Sequence, residues 1–119
     1  MKLNIIEQNS KKIAEVISEE IVIHSTQDAL DLIGDASYYQ SHSIIIREEN
    51  LAPGFFNLKT RIAGEILQKF SQYGVQIAII GEFTKFNSDS LAAFIRESNK
   101  GTICSFVADK EEAINMFLK

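Results

Sequence analysis

The chain has 119 residues, of which 45% are hydrophobic and 24% are charged, and this size and composition indicate a single globular domain over residues 1–119. Its net charge of −4 disfavours binding to nucleic acid or to an anionic membrane, because both need a basic surface and no basic cluster occurs. No apolar run approaches the ~20 residues that span a bilayer and no secretory leader pattern opens the chain, so we expect a cytoplasmic protein.

The first quarter of the chain predicts a β-hairpin. Two runs, Leu3–Glu7 and Lys12–Ile17, are separated by polar turn residues at 8–11. This is the pattern of two antiparallel strands joined by a tight turn. Ile21–Ile23 is a further short apolar piece, and it predicts a third strand.

The rest of the chain alternates between helical and strand patterns. Ser25 and Thr26 are N-cap residues before a helix that ends at Gly34 or in the polar stretch after it. Compact β-branched runs predict three strands buried on both faces, at Ser43–Ile46, Val75–Ile80 and Ile103–Val107. Three more helices are predicted: a long one from the Pro53-Gly54 loop to about Tyr73, one at Leu91–Ser98, and one from Asp109 to about Leu118.

This order of elements predicts an α/β fold. Alternating strands and helices form parallel sheets with right-handed crossovers, and the hairpin adds an antiparallel edge. We therefore predict a single-layer, mixed but mostly parallel sheet with an N-terminal antiparallel hairpin and four helices. Cys104 falls inside the last strand, and we interpret it as a buried, unreactive thiol.

Polar and aromatic side chains follow the predicted parallel strands, at the edge where open α/β sheets bind ligands. The residues at these positions include His24, Glu49, Glu82 and Phe83. His24 paired with Glu49 or Glu82 would form a general-base pair, and the alternative is an exposed loop histidine. The pattern assigns no catalytic residue, no metal ligand and no cofactor.

Lys59 stands out in the long predicted helix. Helical spacing puts it between Ile66 and Phe70 in the apolar arc, and its place in the first turn sets a cation against the helix dipole. A residue that breaks two local rules indicates a function or an ion pair. The alternative is that its stem packs while the ammonium reaches past the sheet edge to water.

The opposite face of the same helix carries small and polar side chains, at Asn57, Thr60, Gly64 and Ser71. Glycine in a helix interior costs ~1 kcal/mol relative to alanine, and close approach of another backbone would offset that cost. A homodimer through the 57–73 helix is therefore one partner interface that we predict. The alternative is that Gly64 is merely tolerated.

Two stretches of the chain, FFNLKTRIAGEILQKFSQYGVQIAIIGEF at 55–83 and SLAAFIRESNKG at 90–101, resemble a bacterial family of small proteins named domain of unknown function 4180. The likeness extends over nearly the whole chain. It implies a glycine at the position where this chain has Arg61. The family has no established activity, so the resemblance implies no catalytic residue.

The order of strands and helices is also similar to that of the STAS domain, the fold of anti-anti-sigma factors. That resemblance implies a serine or threonine near the start of the second helix that is phosphorylated to switch partner binding. Thr60 occupies the similar place here, although the Asp-Ser-Ser/Thr-Gly signature of the STAS family is absent. Fold by itself does not give function.

Two hypotheses of function follow, and we favour the first. It is a non-catalytic regulatory or protein-interaction module that binds an unknown protein through the long helix and the loops at 47–57 and 81–88, where Phe83 and Phe86 would supply exposed aromatic contacts.

The alternative is a small-ligand-binding protein or small enzyme in which Lys59 acts with nearby strand-end residues, Glu49, Glu82 or His24. A closed polar pocket would favour the ligand, and a flat apolar surface would favour the partner.

Overall fold

A computed structural model of residues 1–119 contains one five-stranded sheet and four α-helices. The strands are β1 (Lys2–Gln8), β2 (Lys11–Ile17), β3 (Ser43–Arg47), β4 (Gln76–Ile80) and β5 (Cys104–Val107). The helices are α1 (Thr26–Tyr38), α2 (Ile62–Gln72), α3 (Asp89–Lys100) and α4 (Lys110–Leu118). The strands lie in chain order, with β1 antiparallel to β2 and the other pairs parallel. The predicted fold class is confirmed.

The order of the strands decides where the helices lie. Each of α1, α2 and α3 connects one parallel strand to the next in the same direction across the sheet, so crossovers of one hand place all three on one face. That face holds the larger core, which includes Ile44 and Ile77. The last helix, α4, covers the other face by packing Ala113 and Phe117 near Ile45. None of the helices combines the length and the apolar character needed to cross a bilayer.

The hairpin forms at the predicted place because two residues adopt the left-handed conformation. Asn9 has a φ of 52° and Ser10 a φ of 66°, and such a two-residue turn has the twist of the strands that it joins. The turn sets the register, since Gln8 lies opposite Lys11 and the pairing continues to the start of β1.

The predicted third strand at Ile21–Ile23 is wrong. Ile23 forms only an isolated parallel bridge with Leu51, and the backbone N–H groups of Val22 and Ile23 both donate to the carbonyl of Asn50. The segment is therefore attached to the loop after β3 and is not part of the sheet. Its apolar character has a simpler cause, because the Ile23 side chain is fully buried.

The predicted long helix is wrong in its first part. Residues 53–56 and 58–60 form two separate 3₁₀ turns, and α2 begins only at Ile62. Arg61 separates them with a φ of 65°, a left-handed conformation that an α-helix does not contain. The apolar spacing continued across the break because Phe55 and Phe56 are also buried, although they lie in a turn. The left-handed φ also gives the physical reason to expect glycine at position 61.

Arg61→Gly is expected to raise the free energy of unfolding by about 0.5–1 kcal/mol, because glycine adopts a positive φ without the steric cost that a Cβ adds. The Arg61 side chain forms no salt bridge that would be lost. Urea denaturation measures the change. Arg61→Ala is the matched control, since it removes the same side chain but keeps the Cβ; an equal gain in that variant would contradict the conformational explanation.

Candidate functional site

The carboxyl ends of β3 and β4 lead into two neighbouring loops, residues 48–61 and 81–88, which we call the strand-end surface. The two loops begin at the same level because the register pairs Arg47 with Ile80. All but one of the candidate residues from the sequence lie on this surface: Glu49, Lys59, Thr60, Glu82, Phe83 and Phe86.

Asn50 holds the first of these loops in place. Its side chain is fully buried, and its Nδ2 donates to the carbonyls of Ser18 (3.0 Å) and Glu20 (2.8 Å). Its Oδ1 accepts from the backbone N–H of Arg47. A buried amide with satisfied donors and acceptor fixes the loop after β2 against the loop after β3. Sequence reasoning did not single out Asn50, because nothing in the polar run at 47–50 distinguishes a buried amide from an exposed one.

Glu48, not Glu49, is the carboxylate that the strand-end surface uses. Glu48 Oε1 accepts from Lys85 Nζ at 2.7 Å and from the backbone N–H of Glu82 at 3.3 Å, and its side chain is only 12% exposed. Gly81 permits this contact, because a Cβ there would lie 2.9 Å from Glu48 Cδ. The two loops are thereby joined by a charge-assisted contact, whereas Glu49 is exposed.

Phe83 and Phe86 are half-buried, which corrects the expectation of freely exposed aromatic contacts. Phe86 stacks on Phe56 with ring centroids 4.7 Å apart, and Phe83 meets Phe106 edge-on at 5.1 Å. Offset-stacked and edge-on pairs are the favoured aromatic geometries. These rings join the 81–88 loop to the larger core, against which both phenylalanines pack.

His24 is not paired with Glu49 or Glu82 in the structure. His24 Nδ1 lies 3.2 Å from Asp28 Oδ2, and the backbone N–H of His24 donates to the same oxygen at 2.8 Å. The pair is local, at the N-terminus of α1, where a carboxylate in the first turn interacts favourably with the free N–H groups. The exposed loop histidine given as the alternative describes His24 better.

Lys59 does not lie in the apolar arc of α2, because the helix starts three residues later. Its side chain is exposed and forms no salt bridge, so it is not brought together with Glu49, Glu82 or His24. The expected apolar character of that arc and the unfavourable interaction of a cation with the helix dipole apply only inside a helix, so Lys59 breaks neither rule. Its ammonium reaches water, as the alternative interpretation described.

Thr60 is exposed, but its hydroxyl is occupied. Oγ1 lies 2.7 Å from the carbonyl oxygen of Gly54 and 2.8 Å from that of Asn57, either of which accepts its proton. The same oxygen accepts from the N–H of Ile62 at 3.3 Å. The hydroxyl therefore stabilises the turn that precedes α2, a common role for threonine beside a helix start.

A groove opens beside Phe83, between the 81–88 loop and α3. Its volume is about 450 Å³, and it is lined by Phe83, Thr84, Asn87, Ser88, Asp89, Ala92, Ile95 and Arg96. The lining therefore combines apolar side chains with polar and charged ones. Of the candidate residues, only Phe83 lines one of the five main cavities of the molecule.

A buried carboxylate that sequence reasoning missed lies on the other face of the sheet. Glu15 in β2 is 2% exposed, and it receives Arg47 Nη2 at 2.9 Å, Lys110 Nζ at 2.9 Å and Asn4 Nδ2 at 3.1 Å. Burial raises the pKa of Glu15, but the hydrogen bonds from Lys110, Asn4 and Arg47 lower it, and the net pKa lies below the ordinary value. The signal in the sequence that could have indicated this buried carboxylate is an acidic residue between the apolar residues of a strand.

The remaining titratable group that departs from its ordinary value is Cys104. It is buried, and burial raises its pKa well above the usual range of a thiol. The thiolate is the reactive form of cysteine, so this side chain is unreactive. The burial that its position inside a strand predicted is confirmed.

Glu15→Gln is expected to lower the free energy of unfolding at neutral pH by about 1–3 kcal/mol, because an amide cannot neutralise Lys110 and Arg47. The folded-state pKa of Glu15 is depressed below 4.5, so its stabilisation is present above that pH and is lost as the pH falls through the folded-state pKa. Urea titrations should therefore show a steeper acid-side loss of stability in the wild type than in the variant. Glu7→Gln, at an exposed strand glutamate, is the control; equal effects of both substitutions would disprove the assignment.

Comparison with known proteins bears on the whole chain. Residues 8–117 match the model of the family described as Domain of unknown function (DUF4180). No curated protein and no solved structure matches. The matched range includes the 55–83 and 90–101 stretches and every element from β2 to β5. Because the match covers most of its length, the chain belongs to the DUF4180 family.

Proposed function

We propose that this chain is a non-catalytic regulatory module of the bacterial cytoplasm, with a STAS-like order of elements, that acts by binding another protein. The observation that carries the proposal is the groove beside Phe83, which opens on loops that are already fixed. A partially apolar groove with a polar rim suits one anchoring side chain of a partner, and such anchors carry most of the energy of a protein interface.

The strand-end surface is suited to this role because it needs little ordering on binding. The Glu48–Lys85 contact and the Phe56–Phe86 stack join its two loops, and ordering of loops is a major cost of association. The same two loops carry exposed polar side chains that would form the rim of the interface: Glu49, Lys59, Thr60 and Glu82. Thr60 would regulate the surface if modified, since the turn would lose its hydroxyl proton donor.

The alternative, a small-ligand site or small enzyme around Lys59, has less support. Lys59 lines none of the five main cavities, and ligand sites bury most of the ligand surface in a concave pocket. This alternative is tested by adding a panel of metabolites to the wild type and to Lys59→Ala. A metabolite that raises the melting temperature of the wild type but not that of the variant would favour it.

The groove is tested by affinity capture from the native host with the wild-type chain and with Ala92→Arg. We expect a stoichiometric partner that the variant fails to retain, because the exposed Ala92 lines the groove and an arginine would fill it. Thr102→Arg, an exposed site at the opposite end of β5 with the same charge change, is the control that keeps the partner. Recovery of no stoichiometric partner, or equal loss in both variants, would refute the proposal.

We also propose that the partner can be a second copy of the chain, which would bind through the 57–73 segment. Gly64 is exposed, and a Cβ there would meet no atom within 4 Å, so the surface is open to close approach by another helix. Gly64→Ala should raise monomer stability by about 1 kcal/mol and reduce the dimer fraction in analytical ultracentrifugation. Gly34→Ala, at an equally open helix position, should give the same stability gain without affecting the dimer. A monomer at all concentrations would reject this interface.

A further inference from the structure

The outer edge of β1 is an unpaired strand edge. The two-residue turn makes Gln8 and Lys11 a hydrogen-bonded pair, and antiparallel pairs alternate, so the N–H and C=O groups of Leu3, Ile5 and Glu7 point away from β2. No hydrogen bond outside the β1–β2 pair reaches the backbone of residues 2–8. A seven-residue strand with such an edge is a template for another strand.

The opposite edge of the sheet is protected, which makes the open edge of β1 a specific feature. At β5, the N–H of Phe106 donates to Asn99 Oδ1 at 2.7 Å, and Asn99 Nδ2 donates to the carbonyl of Phe106 at 3.3 Å. A side-chain amide thus occupies the groups that an added strand would use. Side-chain cover of this kind is one way in which proteins block edge pairing, and β1 lacks it.

Exposed apolar side chains concentrate beside the open edge. Met1 is 59% exposed, Tyr38 is 82% exposed and Tyr39 is 47% exposed, and Ile21 is also exposed. Met1 lies between two cavities, one of about 370 Å³ shared with Leu3 and the two tyrosines, and one of about 290 Å³ shared with Ile21. A contiguous apolar patch rimmed by polar residues is typical of a site that binds another protein.

The charges around this patch are nearly all negative. Asp28, Asp31, Asp35 and Glu20 line the two cavities, and Lys2 is the one basic residue among their lining side chains. Asp28 is paired with His24 and Asp31 with Gln27, but the carboxylates of Asp35 and Glu20 have no partner. A second copy of the chain would bring like charges together, whereas a basic partner would neutralise them.

We propose that β1 binds an extended, basic segment of a partner protein as a sixth strand. Side chains alternate across a strand, so arginine or lysine on one face would meet Asp35 and Tyr38 beside α1, where cation–π contact adds to charge attraction. Apolar side chains on the other face would extend the surface around Ile6 and Ile17. This surface is separate from the strand-end surface, so the inference does not depend on the function proposed above.

The test uses a fluorescently labelled peptide of alternating arginine and valine, titrated with the full chain and followed by anisotropy. We expect saturable binding that Glu7→Pro weakens about tenfold or more, because proline removes an outward N–H and its ring obstructs the incoming strand. Glu7→Gln, which removes the same charge and keeps the N–H, should bind like the wild type. Asp35→Lys should also weaken binding, and thermal unfolding verifies that each variant is folded.

Three results would overturn the inference. Equal affinity of Glu7→Pro and Glu7→Gln would show that the peptide binds by charge without adding a strand. Equal binding of a peptide that alternates glutamate and valine would remove the charge argument. A concentration-dependent dimer of the wild type that Glu7→Pro abolishes would assign the edge to a second copy of the chain.

Discussion

The second face of the sheet depends on one buried carboxylate. Because α1, α2 and α3 all cross on the same face, α4 alone covers the other, and Glu15 lies buried there, where an unpaired charge would be costly. Lys110 of α4 and Arg47 of β3 both reach it at 2.9 Å, so one side chain joins the helix to two strands. Lys11 adds a further attachment by donating to the carbonyl of Phe117 at 2.7 Å.

The order of the strands places two candidate binding surfaces at different parts of the sheet. The strand-end surface is held in place by contacts between its two loops, through Glu48 and Phe56, and it contains a groove that is already formed in the unbound chain. The edge of β1 is open because β1 is the terminal strand of an open sheet. Its unpaired backbone groups lie next to Met1 and Tyr38. A module that binds proteins can use shape at the first surface and backbone hydrogen bonds at the second.

Much of the fold followed from local patterns, and the failures have a common cause. The hairpin, three parallel strands and four helices were predicted because their caps, turns and apolar periods lie within a few residues of each other. The start of α2 was misplaced because periodicity registers burial, and Phe55 is buried from a turn just as Ile66 is from the helix. His24 does not reach Glu49 or Glu82 for a related reason, since it pairs with Asp28, a residue only four positions later in the first turn of α1.

By itself, the sequence determined the fold class, the order of the elements and the edge of the sheet at which the loops would gather, because these depend on local propensity and on the rules of parallel connection. Only the tertiary structure decided that Glu48 and not Glu49 faces Lys85, that Asn50 is buried, and that Glu15 collects two cations. It also decided that one sheet edge is covered and the other is open. These features depend on side chains distant in sequence that meet across strands, and the pattern of a single segment does not contain that information.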